Sequence, residues 1–125
     1  MKKEIVETKN APGAIGPYSQ AVKAGNMLFL SGQLPIDASA GTMPEGITEQ
    51  TRQSLRNAAS IIESTGAGLS NVVKTTVFLS DINNFASMNE VYKEFFTEAF
   101  PARSAVEVAR LPKDALVEIE MIVVY

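Results

Sequence analysis

The end of the chain constrains the fold most, because it alternates between two apolar rows and offers no properly wet side. Val117, Ile119, Met121 and Val123 occupy every second position, and the intervening row reads Leu116, Glu118, Glu120, Ile122, Val124. A period of two is that of a β-strand. The first row is suited to lie beneath helices. A sheet face left to water is polar throughout, so carboxylates set among Leu, Ile and Val predict a second face that is covered as well. Val73, Thr75, Val77 and Leu79 likewise alternate with Val72, Lys74, Thr76 and Phe78, and neither row is fully polar. At 125 residues the chain supports one core and no deep interdomain cleft, and a single domain over 1–125 is expected. The economical cover for the second face is another copy of the chain, which predicts a homo-oligomer with sheets meeting face to face. Periodicity does not give the copy number.

The remaining segments supply what packs on the first face. Residues 2–8 read as a short strand, and the Gly- and Pro-rich stretch from Asn10 to Pro17 as a loop that delivers Tyr18 to a fixed place. Ser19–Lys23 and Met27–Leu34 read as strands joined at Ala24-Gly25-Asn26, a hairpin signal. A long loop through Pro35, Gly41, Pro44 and Gly46 follows. Ile47, Leu55, Ala58, Ala59 and Ile62 recur at helical spacing over 47–64, with Gly66 placed as a C-terminal cap. The β-branched run Val72–Leu79 predicts a strand. Phe85, Met88, Tyr92 and Phe95 put one stripe on a second helix over 84–97, with Asp81 or Asn83 as its N-cap; core packing is the plain reading of that stripe. Ser104–Arg110 and Leu116–Val124 read as the last strands, with a turn at Leu111-Pro112-Lys113-Asp114. The order βββαβαββ mixes hairpins with helical crossovers, so the expected class is α+β: a mixed six-stranded sheet with both helices on one side.

What the composition lacks decides the chemistry. There is no His, no Cys and no Trp, which removes Ser-His-Asp and Cys-His nucleophiles, thiol redox chemistry, disulfides and Cys/His zinc sites. No acidic calcium-loop pattern is present, so no metal is expected. The net charge of −3 argues against nucleic-acid binding, which depends on cations meeting phosphates. Arg52 and Arg56, four apart and near Glu49, read as a solvated, partly paired helix face. The start of the sequence lacks a signal-peptide core, no run approaches the roughly 18 apolar residues of a membrane span, and the expected compartment is the cytoplasm.

Chemistry is left to carboxylates, Arg, Tyr, hydroxyls and backbone. Arg103, behind the rigid Pro101-Ala102, reads either as a surface residue paired with Glu98 or Glu107, or as a planar fork that grips a small carboxylate. Glu118 and Glu120 point the same way from one strand. In a poorly hydrated interface they resist ionising together, which raises one pKa and yields a proton carrier where His would otherwise serve. The alternative is a salt bridge to Lys74, Arg103 or Arg110. Tyr18, Ser31 and Gly32 are candidates for a pocket, with edge packing, backbone satisfaction and a β-bulge as their plainer readings. Asn89 on the second helix reads by itself as a surface residue rather than a ligand contact.

The blocks Ala14-Ile15-Gly16-Pro17-Tyr18-Ser19-Gln20, Ser31-Gly32-Gln33-Leu34-Pro35, Lys74-Thr75-Thr76-Val77-Phe78, Pro101-Ala102-Arg103-Ser104 and Glu118-Ile119-Glu120 together resemble the Rid (reactive-intermediate deaminase, or YjgF) family along nearly the whole chain. The resemblance implies a homotrimer of chorismate-mutase-like subunits (the bacillus type), with sites in the clefts between neighbours and no cofactor. It implies hydrolysis of 2-imino and 2-enamine acids, such as 2-aminoacrylate and 2-iminobutanoate, to 2-oxo acid and ammonia. It assigns Arg103 to the substrate carboxylate, Glu118 to the water, and Tyr18, Ser31, Gly32, Asn89 and the Ala105 backbone to the pocket. Deaminase-branch members often carry Cys where Ala105 stands, and the connection from Phe96 to Arg103 is short for that branch. Two other functions are compatible with the family: a non-catalytic trimer that binds a small carboxylate, and the endoribonuclease or translation-inhibitor activity of older family labels.

Overall fold

A computed structural model describes residues 2–125. Its elements are β1 (Lys3–Val6), β2 (Ala21–Ala24), β3 (Met27–Gln33), α1 (Ile47–Ser64), β4 (Val72–Leu79), α2 (Phe85–Phe95), β5 (Ala102–Glu107) and β6 (Val117–Val124). The strands form one six-stranded sheet in the order β1-β2-β3-β6-β4-β5. Only β4 and β5 run parallel, joined through α2; every other neighbouring pair is antiparallel. The expected α+β architecture and element order are therefore the observed ones. Among the described residues no helix is long and apolar enough to cross a membrane.

Each of the first turns has a local cause. Ala24 pairs with Met27, which leaves a two-residue loop, and Gly25 takes φ +61° at its first central position, where a type II′ hairpin needs glycine. Gly66, at φ +90°, ends α1 as expected. Asp81 does cap, though not α2 itself: its carboxylate accepts from the Asn83 amide at 2.9 Å and starts the 3-10 turn Ile82–Asn84 that leads into the helix.

The core lies between the helices and one face of the sheet. Val117, Ile119, Met121 and Val123 are fully or almost fully buried there, beside Leu28, Val77 and Leu79. From α1 come Leu55, Ala58, Ile61 and Ile62, and from α2 Met88, Val91 and Tyr92. The phase expected for β4 fails at one residue. The pairing of β4 with β6 slips between Val72 and Lys74, so Val72 turns inward and Val73 outward. A bulge adds one residue and flips the alternation before it.

The buried face of α1 is half polar, which its apolar spacing did not announce. Asn57 donates to the carbonyls of Leu34 (3.0 Å) and Ile36 (2.9 Å), and Gln50 donates to Pro44 O (3.0 Å) while accepting from Leu116 N (2.8 Å). These amides satisfy the Leu34, Ile36 and Pro44 carbonyls of the long loop after β3 and the Leu116 amide just before β6, and so fix both segments against the helix. Arg52 is bound by Glu49 and, through two nitrogens, by Glu94 on α2.

The opposite sheet face carries Ile5, Val22, Phe29, Ile122, Phe78 and Val106 across the strands, each partly or largely exposed, with Glu118 and Glu120 among them. It is the two-sided sheet expected from the alternation, and no helix of this chain covers it.

Candidate functional site

The candidate residues fall into two groups. Tyr18, Ser31, Gly32 and Glu118 surround a cavity of about 790 Å³ between the loop before β2, the loop after β3 and the start of β6. Ser31 and Gly32 sit where the pairing of β3 with β6 slips between Leu30 and Gln33, so Gly32 does mark a bulge. It also does more. A Cβ at position 32 would lie 2.8 Å from Glu118 Cδ, so only glycine lets the carboxylate occupy its place.

Three side chains hold the rest of this wall. Gln20, 4% exposed, accepts from Thr8 N at 2.7 Å and donates to Thr8 O (3.1 Å), Ala11 O (3.3 Å) and Pro12 O (2.8 Å). It thereby pins both ends of the turn that presents Tyr18. The Tyr18 ring packs over Gly16, and its hydroxyl accepts from Ile15 N at 3.3 Å. Ser31 donates to Ser19 O at 2.6 Å, satisfying a backbone group as its plain reading supposed, while it still lines the cavity.

Glu118 is half-buried, and its carboxyl holds its proton above the ordinary glutamate range, first because burial disfavours the charge and second because Glu120 stands beside it. The alternative salt bridges do not form. Lys74 donates to Ser104 (3.0 Å) and Arg110 pairs with Asp114 (2.9 Å); among the described residues neither Glu118 nor Glu120 has a cationic partner.

Arg103 belongs to the second group. It pairs in register with Thr75, the buried threonine under α2, and so projects to the helix side of the sheet. There it donates to Asn89 Oδ1 at 2.7 Å, with its guanidinium 4.8 Å from the centre of the Tyr92 ring and 5.5 Å from that of Phe85. The stripe on α2 is thus core in part and a cradle for Arg103 in part. Tyr92 is fixed by a 2.8 Å hydrogen bond to Thr75. Neither Glu98 nor Glu107 pairs with Arg103; Glu107 accepts from Ile82 N at 2.9 Å. Ala105, two residues on along β5, packs against the core. Glu118 pairs in register with Phe78 and projects to the opposite face. Within one chain, then, the guanidinium and the acid are on opposite sides of the sheet.

Residues 8–125 match the family model described as endoribonuclease L-PSP. The chain belongs to this family, the YjgF/Rid family. Among Rid relatives it is 59% identical to a RutC family protein of Pyrococcus horikoshii over 96% of each chain. It is 52% identical, over 97% of each chain, to an Escherichia coli protein named 2-iminobutanoate/2-iminopropanoate deaminase. Solved structures agree in fold: a Rid family protein of unknown function from Yersinia pestis has a TM-score of 0.97 at 48% identity, covering 99% of this chain and all of its own. Escherichia coli TdcF with bound serine has a TM-score of 0.95 at 48% identity over 98% of each chain.

Sequence reasoning did not single out Gln20, Asn57 or Gln50 as supports of the Rid cavity. Their signal was weak: a long amide side chain gains meaning only once the loop it holds is seen. Lys113 lines the same cavity, which its place in the turn Leu111-Pro112-Lys113-Asp114 does not announce.

Proposed function

We propose that the protein is a hydrolytic deaminase of 2-imino and 2-enamine acids, working as a homotrimer whose sites form between subunits, in the cytoplasm and without a cofactor. The observation that carries this reading is the placement of Arg103 and Glu118 on opposite sheet faces, beside relatives named for that reaction. A second copy covering the exposed face would bring the Arg103 and Asn89 of one subunit up to the Tyr18, Ser31, Gly32 and Glu118 of its neighbour, and would bury the apolar residues around Glu118.

In such a site the Arg103 fork, already propped by Asn89 and two aromatic rings, takes the substrate carboxylate through two parallel hydrogen bonds. An enamine first needs a proton on its terminal carbon, and a Glu118 that stays protonated above the usual range can supply it. Water then adds to the electrophilic imine carbon as Glu118, now ionised, takes a proton from it. Glu118 returns that proton to the nitrogen as the new hydroxyl gives up its own, so the aminol collapses with cleavage of the C–N bond to the 2-oxo acid and ammonia, with one water consumed. Tyr18 borders the cavity where the water would sit. Orientation and one proton transfer are adequate for an intermediate this reactive, general acid–base catalysis alone being worth roughly 10²- to 10⁴-fold.

The test is release of oxo acid from freshly generated 2-iminobutanoate, with Arg103→Ala as control. Wild type should exceed the spontaneous rate and the variant should not; equal rates would sink the reading. The second reading, a carboxylate-binding trimer without turnover, is favoured by the relative solved with serine bound. It predicts that 2-oxobutanoate binds through Arg103 while the imine decays at its spontaneous rate. RNA cleavage that survived purification and disappeared with Arg103→Ala would instead support the older family label.

A further inference from the structure

The turn between β5 and β6 has a backbone that its residues do not favour. Lys113 and Asp114 follow one another at φ +58° and +56°, the left-handed region that glycine occupies without penalty and a side-chain-bearing residue does not. The turn is held from several sides. Leu111 and Ala115 are buried; the Asp114 and Ala115 amides donate to Leu111 O and Pro112 O at 3.2 Å; and Arg110 grips Asp114. Asp114 is accounted for by that grip. Lys113 makes no ion pair among the described residues, is exposed, and lines the cavity together with Glu118 and Tyr18. It is the one cation among the described residues lining that cavity.

Strained left-handed residues concentrate where a side chain must be presented to a ligand. At about 790 Å³ the cavity falls within the roughly 300–1,000 Å³ range of sites that take drug-sized ligands. Beside Tyr18, Glu118 and Lys113 its wall includes Ile15, Leu34 and Ile36, more lining than a four-carbon acid touches.

We propose that Lys113 is a specificity-determining residue that receives a second, distal carboxylate, so that this protein also takes 2-imino acids derived from dicarboxylic amino acids. The inference rests on the deaminase reading: with C1 on the neighbour's Arg103 and C2 beside Glu118, the side chain of the substrate extends toward the rim, and Lys113 is the charge that meets it.

The experiment compares kcat/KM for 2-iminoglutarate and 2-iminobutanoate, each generated in situ by an amino-acid oxidase, in wild type, Lys113→Gln and Lys113→Arg. One charge-assisted contact predicts that Lys113→Gln lowers the iminoglutarate-to-iminobutanoate ratio by about tenfold or more, chiefly through KM, and that Lys113→Arg restores much of it. Lys113→Gly separates charge from strain: it should raise the melting temperature while losing the same discrimination. A ratio unmoved by Lys113→Gln, with 2-iminobutanoate still hydrolysed by wild type, overturns the role of Lys113 alone. Wild type inert toward both imines overturns the deaminase reading; Lys113 is then judged by equilibrium binding of 2-oxoglutarate against 2-oxobutanoate, where equal loss of both in Lys113→Gln, or of neither, overturns it.

Discussion

In the proposed reaction Glu118 concentrates the chemistry in one half-buried carboxyl. Its pKa is raised in the folded chain, so the native state binds the proton more tightly than the unfolded one. The contribution to stability is complete at acid pH and is lost as pH rises through the folded pKa. Glu118→Gln removes that penalty: its melting temperature should exceed wild type at neutral pH and converge with it below the ordinary glutamate range, while imine hydrolysis falls by about 10²- to 10⁴-fold. A gap that widens toward acid would refute the assignment. Gly32→Ala tests the same contact from the other side. Its Cβ would displace the carboxylate; because that carboxylate is the free end of a flexible side chain, denaturant unfolding should move by less than about 1 kcal/mol while most of the activity is lost. The clustering of Glu118 with Glu120 was legible from the two-residue period, and the freedom of Arg103 from a carboxylate partner was not. Spacing places Glu107 and Glu98 near Arg103 in sequence, yet the strand turns its face to α2, and Asn89 with two rings takes it.

Among the elements, the loops that shape the cavity are held by amides reaching out of regular structure. Gln20 satisfies four backbone groups around residues 8–12. Gln20→Leu strands them and should lower stability by about 2–4 kcal/mol, at roughly 1–3 kcal/mol per buried group left unpaired and with solvent recovering part of the loss. It should also raise KM by releasing the Tyr18 turn; a stable variant with wild-type KM would show that the loop holds itself. In α1 the opposite holds: the Ser54 hydroxyl is fully buried without a partner among the described residues. Ser54→Ala should therefore be neutral or stabilising by up to about 1 kcal/mol, read as a shift in denaturant midpoint. Helices and strands were legible because their periods are those of the apolar residues. Ends and phases were less so. The strand expected from Ser104 begins at Ala102 and ends at Glu107, after which Arg110 turns back to Asp114, and the Val73 bulge leaves no trace in an alternating run of β-branched residues.

At the scale of the molecule, the sheet face away from the helices leaves Ile5, Phe29 and Val106 exposed in the single chain. On the proposed arrangement sedimentation velocity should give a trimer at micromolar concentration, and Phe29→Glu should shift it toward the single chain and abolish hydrolysis, since the proposed site needs two contributors; a fully active single chain would refute the arrangement. The sequence could suggest that face because its alternating rows are both apolar, but the number of copies depends on angles between surfaces that no periodicity encodes. A sharper check mixes two inactive chains. Refolding Arg103→Ala together with Glu118→Gln in equal amounts should recover about a quarter of the wild-type rate by random assortment, whereas a site built within one chain would recover none. The opposed placement of these side chains also bears on how a damaged chain affects its neighbours. If sites are shared between subunits, a chain lacking one of the two side chains spoils one site of a mixed assembly while a chain lacking both spoils two, so the doubly defective chain should depress its healthy partners where either singly defective one does not.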